Sequence, residues 1–256
     1  MKILLLIAFF ISSTTAFPNW RVRYGDNARL GEFPYVVLLK SRNSICTASI
    51  VGTNKVLTAG HCVCGRKPMD EVVTETLSLN GYSRHQVYNV QRTSISPKYQ
   101  STCSKSRRGQ RVGGVSGNDM AMATISGSFR FSSTVKAGKI AGSKPRSGER
   151  VKIVGYGRDE FGRAGTLKHG ALNLKECDRM NDLEDAICYD ANESVNRQKT
   201  DSGDSGGPML NLSDEIVGVT SGKISWGRRG GPRTELGVHA GVHGGNANWL
   251  SQALRE

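Results

Sequence analysis

The sequence predicts an all-β fold, a sandwich or a barrel. Short apolar or alternating runs recur along the 256 residues, with turn-forming residues between them. Stretches with a convincing helical period are scarce. The exception is the tail, 246–254, where Trp249, Leu250 and Leu254 fall on one helical face.

Taken in order, the strand candidates begin with 33–39, 45–51 and 55–58, the last carrying Val56-Leu57 just ahead of His61. Runs 72–79 and 87–93 follow, then 120–125, which opens directly after Asp119. The second half offers 151–156, 167–174, 187–189, 215–220 and 236–242 before the helical tail. No internal repeat or low-complexity tract interrupts this pattern.

Residues 1–16 read as a secretory signal: Lys2 at the start, an apolar core from Ile3 to Ile11, and a small, polar exit from Ser12 to Ala16. That core is shorter than the roughly 20 apolar residues a bilayer-spanning helix needs. No other stretch is long enough, so the expectation is a secreted, extracellular protein without a membrane span. In an exported chain, six cysteines favour three disulfides. A zinc site at Cys62-Val63-Cys64 is disfavoured, because the spacing is tighter than usual ligand patterns, and no metal or other cofactor is expected. The formal charge is +13, or +11 from residue 22 onward once Lys2 and Arg21 are removed. Such an excess suits acidic partners, among them anionic glycans and acidic proteins. It is concentrated in Lys105, Arg107, Arg108 and Arg111, and in Arg228, Arg229 and Arg233. Solvated loops that aid solubility account for these clusters equally well.

The chemistry is concentrated in Gly203-Asp204-Ser205-Gly206-Gly207. A serine becomes a nucleophile when its hydroxyl is exposed, a base takes its proton and N–H groups steady the oxyanion. Glycines let this backbone turn sharply and approach a substrate, so that the N–H groups of Gly203 and Ser205 can converge on one oxygen. Thr58-Ala59-Gly60-His61-Cys62 offers the base, and Asn118-Asp119 offers a carboxylate to orient it. The order His61, Asp119, Ser205, at intervals of 58 and 86 residues, is one of several known orders for a Ser-His-Asp triad. Each motif alone is weak, and His85, His169, His239 and His243 are better read as structural.

Together the three segments resemble the chymotrypsin/trypsin-like serine proteases, over nearly the whole chain after residue 21. The resemblance implies two six-stranded antiparallel β-barrels with a C-terminal helix. Residues 22–130 would form the first, with His61 and Asp119, and 131–256 the second, with Ser205. It implies bridges Cys46–Cys62 and Cys177–Cys188, leaving Cys64 for Cys103. It implies a zymogen, with a short propeptide at 17–21 and cleavage after Arg21. The new terminus at Val22 would then be buried against Asp204. Here Arg23 and Tyr24 stand where the family has a small apolar residue and a glycine. The implied function is a monomeric endopeptidase acting on proteins or peptides. In the family, the residue six places before the nucleophile sits at the base of the primary specificity pocket. Here it is Lys199, which disfavours cleavage after Arg or Lys, and the bracing cysteine expected at 201 is Asp201. Ser221 is expected in the pocket wall, with Ser225 as a rival register, and Gly237 is expected to leave the far wall open. The alternative is a catalytically weak or inactive homologue that binds anionic surfaces. Sequons at Asn192 and Asn211 are glycosylation candidates.

Overall fold

In the first half of the chain, most strands are four to six residues long and almost wholly buried, while the ten-residue strand Gln86–Ile95 is only partly covered. Strand β1 is Asp26–Asn27, followed by β2 (Val36–Lys40), β3 (Ile45–Ile50), β4 (Lys55–Thr58), β5 (Glu71–Thr74), β6 (Gln86–Ile95) and β7 (Ala121–Ile125). The computed structural model describes residues 22–64, 69–79, 85–107, 115–177, 183–192, 198–227 and 233–256. Strands β2-β3-β4-β7-β6-β5 close into one barrel, all pairings antiparallel. Closure leaves this sheet no open edge. Leu38, Ala48, Ile50, Val56, Leu57, Val72 and Ala123 are wholly buried. A register shift between Val90 and Arg92 bends β6 as it crosses to β7.

The second half supplies β8 (Arg150–Gly155), β9 (Lys168–Lys175), β10 (Ala186–Asp190), β11 (Pro208–Leu210), β12 (Ile216–Gly227) and β13 (Arg233–Gly241). The sheet order is β1-β9-β10-β13-β12-β11-β8, and β8 also pairs with β9. Six strands thus return on themselves, and β1 is an added edge on β9. The longest ladder joins β12 to β13, from Gly218↔Gly241 to Gly227↔Arg233, with a shift between Thr220 and Gly222. Val151, Ile153, Leu172, Ile187, Met209 and Val217 fill this core, and Val22 packs among them, 2% exposed.

Three helices complete the described chain: α1 (Gly60–Val63), α2 (Pro97–Arg107) and α3 (Gly245–Arg255). Helix α3 meets the expectation for the tail, burying Leu250 and Ala253. At its start Asn246 Nδ2 donates to Gly117 O (2.8 Å) and Gly241 O (2.9 Å), tying the helix to the loop that precedes Asp119. Helix α2 was not expected. Its apolar side is only Tyr99 and Cys103, one turn apart amid polar residues, so no helical stripe shows in the sequence. Pro97 opens it, where a missing N–H costs nothing.

The bridges Cys46–Cys62 and Cys177–Cys188 are both formed. The expected Cys64–Cys103 bridge is not. Both residues are buried with Tyr99 in one cluster and take part in no disulfide. Buried thiols pack there as small apolar groups. No helix among the described residues is long and apolar enough to cross a membrane.

Candidate active site

His61 follows β4, Asp119 precedes β7 and Ser205 precedes β11, each just outside the end of a strand. β4 hands over to α1 at Ala59, and α1 carries His61 in its first turn. Gly60 is required by space: a Cβ there would lie 2.5 Å from Tyr99 Cδ1 and 3.1 Å from Asp119 Oδ1. Asp119 lies just ahead of β7 and is 1% exposed. Its carboxylate accepts three bonds. His61 N–H donates to Oδ1 (2.9 Å), His61 Nδ1 lies 2.6 Å from Oδ2, and Ser221 Oγ donates to Oδ2 (2.8 Å). With Asp119 ionised and acting only as acceptor, the Nδ1 proton belongs on the imidazole, leaving Nε2 as the free base. Burial pulls the His61 pKa down, but the Asp119 charge and hydrogen bond outweigh it and hold the imidazole above its ordinary value.

Ser205 lies on a loop pinned by both barrels. Thr47 N–H of β3 donates to Ser205 O (2.8 Å), and Gly206 N–H donates to Thr220 O of β12 (2.8 Å). Gly206 adopts φ +81°, and a Cβ there would fall 2.1 Å from Thr58 Oγ1 and 2.3 Å from Thr47 O. Only glycine lets the serine loop lie so close to β3 and β4. Thr47 is adjacent to Cys46, whose bridge reaches Cys62 beside His61, so the loop and the histidine share one anchor.

Thr47 escaped the sequence reading. Its Oγ1 donates to Gly203 O (2.9 Å) and accepts from Tyr156 N–H (3.0 Å), while its carbonyl accepts from Thr58 Oγ1 (2.9 Å). A threonine in an apolar strand gives little signal beyond the cost of leaving a buried hydroxyl unbonded. Gly203 itself adopts φ +104°. Among the described residues, neither the Gly203 nor the Ser205 N–H has an acceptor within the protein. Arg158 N–H closes the turn from the other side on Ser202 O (2.9 Å).

Asp204 points inward and is 2% exposed, accepting from Gly157 N–H (2.7 Å) and Asp201 N–H (2.8 Å). Burial pushes its pKa up to about 6, against the pull of those two N–H groups. Val22 has φ +35° and Tyr24 has φ +68°, so a glycine position of the family holds an aromatic residue here in the left-handed region. Arg23 bridges antiparallel to Lys199 and its guanidinium lies 3.4 Å from Asp201 Oδ2.

Of the two serines proposed for the pocket wall, Ser221 meets Asp119, whereas Ser225 lies farther along β12 opposite Glu235. Thr200, Asp201, Ser205, Thr220, Gly222 and Lys223 line a cavity of about 220 Å³. Lys199 borders a different one, with Arg23, Tyr24, Ala191 and Asn192. Its Nζ lies 2.6 Å from Glu235 Oε2, and Lys223 Nζ lies 3.2 Å from Oε1 of the same carboxylate. The open wall expected at Gly237 is occupied: a Cβ there would lie 2.0 Å from Tyr189 Cε1. The only clustered metal donors among the described residues are Cys46, His61 and Cys62, and the two sulfurs are spent in their disulfide. Arg21, Arg108, Arg111, Arg228 and Arg229 lie outside the described residues. Lys105 and Arg107 fall on α2 and Arg233 opens β13.

A paired set of β-barrels, with His61 hydrogen-bonded to a buried Asp119 beside a Gly-Asp-Ser-Gly-Gly loop, has the architecture of the chymotrypsin/trypsin-like serine proteases, and the chain belongs to that family. The family model for trypsin matches residues 22–250. Among its relatives, a cercarial protease of Schistosoma mansoni is 32% identical, covering 79% of this chain and 80% of the relative. A lectizyme of Glossina austeni is 28% identical (89% and 88%), and trypsin delta of Drosophila melanogaster is 25% identical (87% and 84%).

Proposed function

We propose that the chain is an exported serine endopeptidase, made as a zymogen, with His61, Asp119 and Ser205 as its catalytic groups. The observation that carries this reading is the saturated Asp119 carboxylate, which fixes the His61 ring and its tautomer. His61 Nε2 takes the Ser205 hydroxyl proton as Oγ attacks the scissile carbonyl carbon. The imidazolium so formed is stabilised by Asp119. The oxyanion receives the N–H groups of Gly203 and Ser205, and removal of one such donor typically costs about 3–4 kcal/mol of transition-state binding. Collapse of the tetrahedral intermediate breaks the C–N bond, and His61 returns the proton to the leaving amine. Water then repeats the sequence in reverse on the acyl-enzyme.

Cleavage after Arg21 is the proposed activation step. The Asp204 carboxyl is buried and carries a raised pKa, which is the condition in which an arriving ammonium gains most by pairing. Poor hydrolysis after Arg or Lys is expected, because among the residues lining the cavity beside Ser205 the one acid, Asp201, already faces Arg23.

A fluorophosphonate probe tests the reading. Labelling of the chain that begins at Val22, abolished in Ser205→Ala and weak in the uncut precursor, is the expected result. Equal labelling of the precursor removes the zymogen step. No labelling of either form leaves a non-catalytic homologue.

A further inference from the structure

The cavity beside Ser205 is reshaped from within by residues of this chain. Gly237 of β13 stands opposite Lys223 of β12. The space its missing side chain leaves is filled by Tyr189, which is fully buried. The Tyr189 hydroxyl accepts Thr200 N–H at 3.0 Å and lies 3.1 Å from Thr200 Oγ1. Thr200 is a wall of the cavity, so the phenol closes the space behind that wall.

The remaining space is polar, and among the described residues Lys223 is the one base on its wall. Lys223 lines it and shares the single Glu235 carboxylate with Lys199, which holds the shorter contact (2.6 Å against 3.2 Å). The one acid on the cavity wall, Asp201, is turned to Arg23 (3.4 Å) and to the N–H of Ser202 (2.7 Å). These five groups count three cations against two anions, and of them Lys223 and Asp201 lie on the cavity wall, while Arg23 and Lys199 border the neighbouring cavity. The unmatched charge falls on the lysine side, where one carboxylate serves two ammoniums. An arginine or lysine entering here meets a like charge, and a large aromatic ring meets Tyr189 behind Thr200. A short carboxylate completes the coordination of Lys223.

We infer that this cavity receives the substrate residue on the acyl side of the scissile bond and selects an acidic one, aspartate or glutamate, through Lys223. The inference rests on the protease reading above and goes beyond it by assigning the substrate class and the residue that reads it.

The experiment uses the secreted chain cut after Arg21, with active enzyme counted by the fluorophosphonate probe. Four peptide anilides differ only in the residue before the cleaved bond: Asp, Ala, Phe or Arg. The Asp substrate should lead Ala by at least about tenfold in kcat/KM, with Arg last. Lys223→Met keeps the stem and removes the charge, and should bring the Asp-to-Ala ratio close to one, both rates being normalised to the enzyme the probe labels. Lys223→Arg should retain the preference. A lead for Ala, Phe or Arg, or an unchanged ratio in Lys223→Met, overturns the inference. If the probe labels and Asp is not preferred, only this inference falls. If the probe fails to label the wild-type chain, the protease reading falls and takes the inference with it.

Discussion

Replacing His239 by phenylalanine should change how stability depends on pH. His239 sits on β13 and is 0% exposed, and neither ring nitrogen has a hydrogen-bond partner among the described residues. Its nearest aromatic neighbour is Tyr189, 5.8 Å between ring centres. Burial pulls its pKa from 6.5 down to about 3. The folded value lies below the unfolded one, so between pH 6.5 and 3 the unfolded chain binds the extra proton. Stability is therefore complete above that window and is lost as pH falls through it. From pH 7 to pH 5, the linkage relation gives a loss of about 2 kcal/mol from this residue alone. Asp204 works in the opposite direction, since its folded pKa is raised to about 6 and its burial penalty shrinks as it protonates. His61, also raised, opposes the loss as well. Both persist in the variant, so the difference between the two proteins isolates His239. Denaturant unfolding at pH 7 and pH 5 should show the wild type losing about 2 kcal/mol more than His239→Phe, or about 4–8 °C in Tm for a chain of this size. Parallel pH dependence in the two proteins would refute the reasoning, because it would mean that His239 is solvated or paired in the folded state.

Four further outcomes follow from the site. Gly60→Ala drives a methyl group into the Tyr99 ring and should cost about 1–3 kcal/mol of stability by denaturant unfolding, with a further loss of activity as His61 shifts. Thr47→Val leaves Gly203 O and Tyr156 N–H without their buried partner. It should lose about 2–4 kcal/mol in the same assay, and kcat should fall while fold, by circular dichroism, is kept. Asp119→Asn should lower kcat by about ten-thousand-fold near neutral pH, the size of loss a wrong imidazole tautomer causes in this family. In the wild type the acid limb of kcat/KM should lie above pH 6.5, because His61 must be neutral and its pKa is raised.

The strand runs of the sequence fall close to the observed strands because each must bury apolar side chains at short intervals. Runs 33–39, 55–58 and 151–156 all overlap their strands. β12 extends well past the expected 215–220, to Gly227, because its far half, Ser225-Trp226-Gly227, is held by pairing with β13 rather than by its own apolar pattern. Helix α2 was hidden for a related reason: packing of two side chains on Cys64 leaves no periodic stripe. Parity of the cysteine count pointed to a third bridge, but parity says nothing about where α2 places Cys103.

By itself, the sequence determined the all-β class and singled out His61, Asp119 and Ser205 as candidates, while the two disulfides formed here were implied only by the family resemblance those motifs carry. Those depend on local pattern: side-chain period, glycine at turns, and motifs a few residues long. Tertiary structure alone decided that Ser221 rather than Ser225 meets Asp119, and that Thr47 anchors the serine loop. It also turned Lys199 away from the cavity beside Ser205 and filled the space at Gly237 with Tyr189. The contacts behind these join residues 11 to 156 positions apart, across strands or barrels, where register and close packing set the contact and no short stretch of sequence records it.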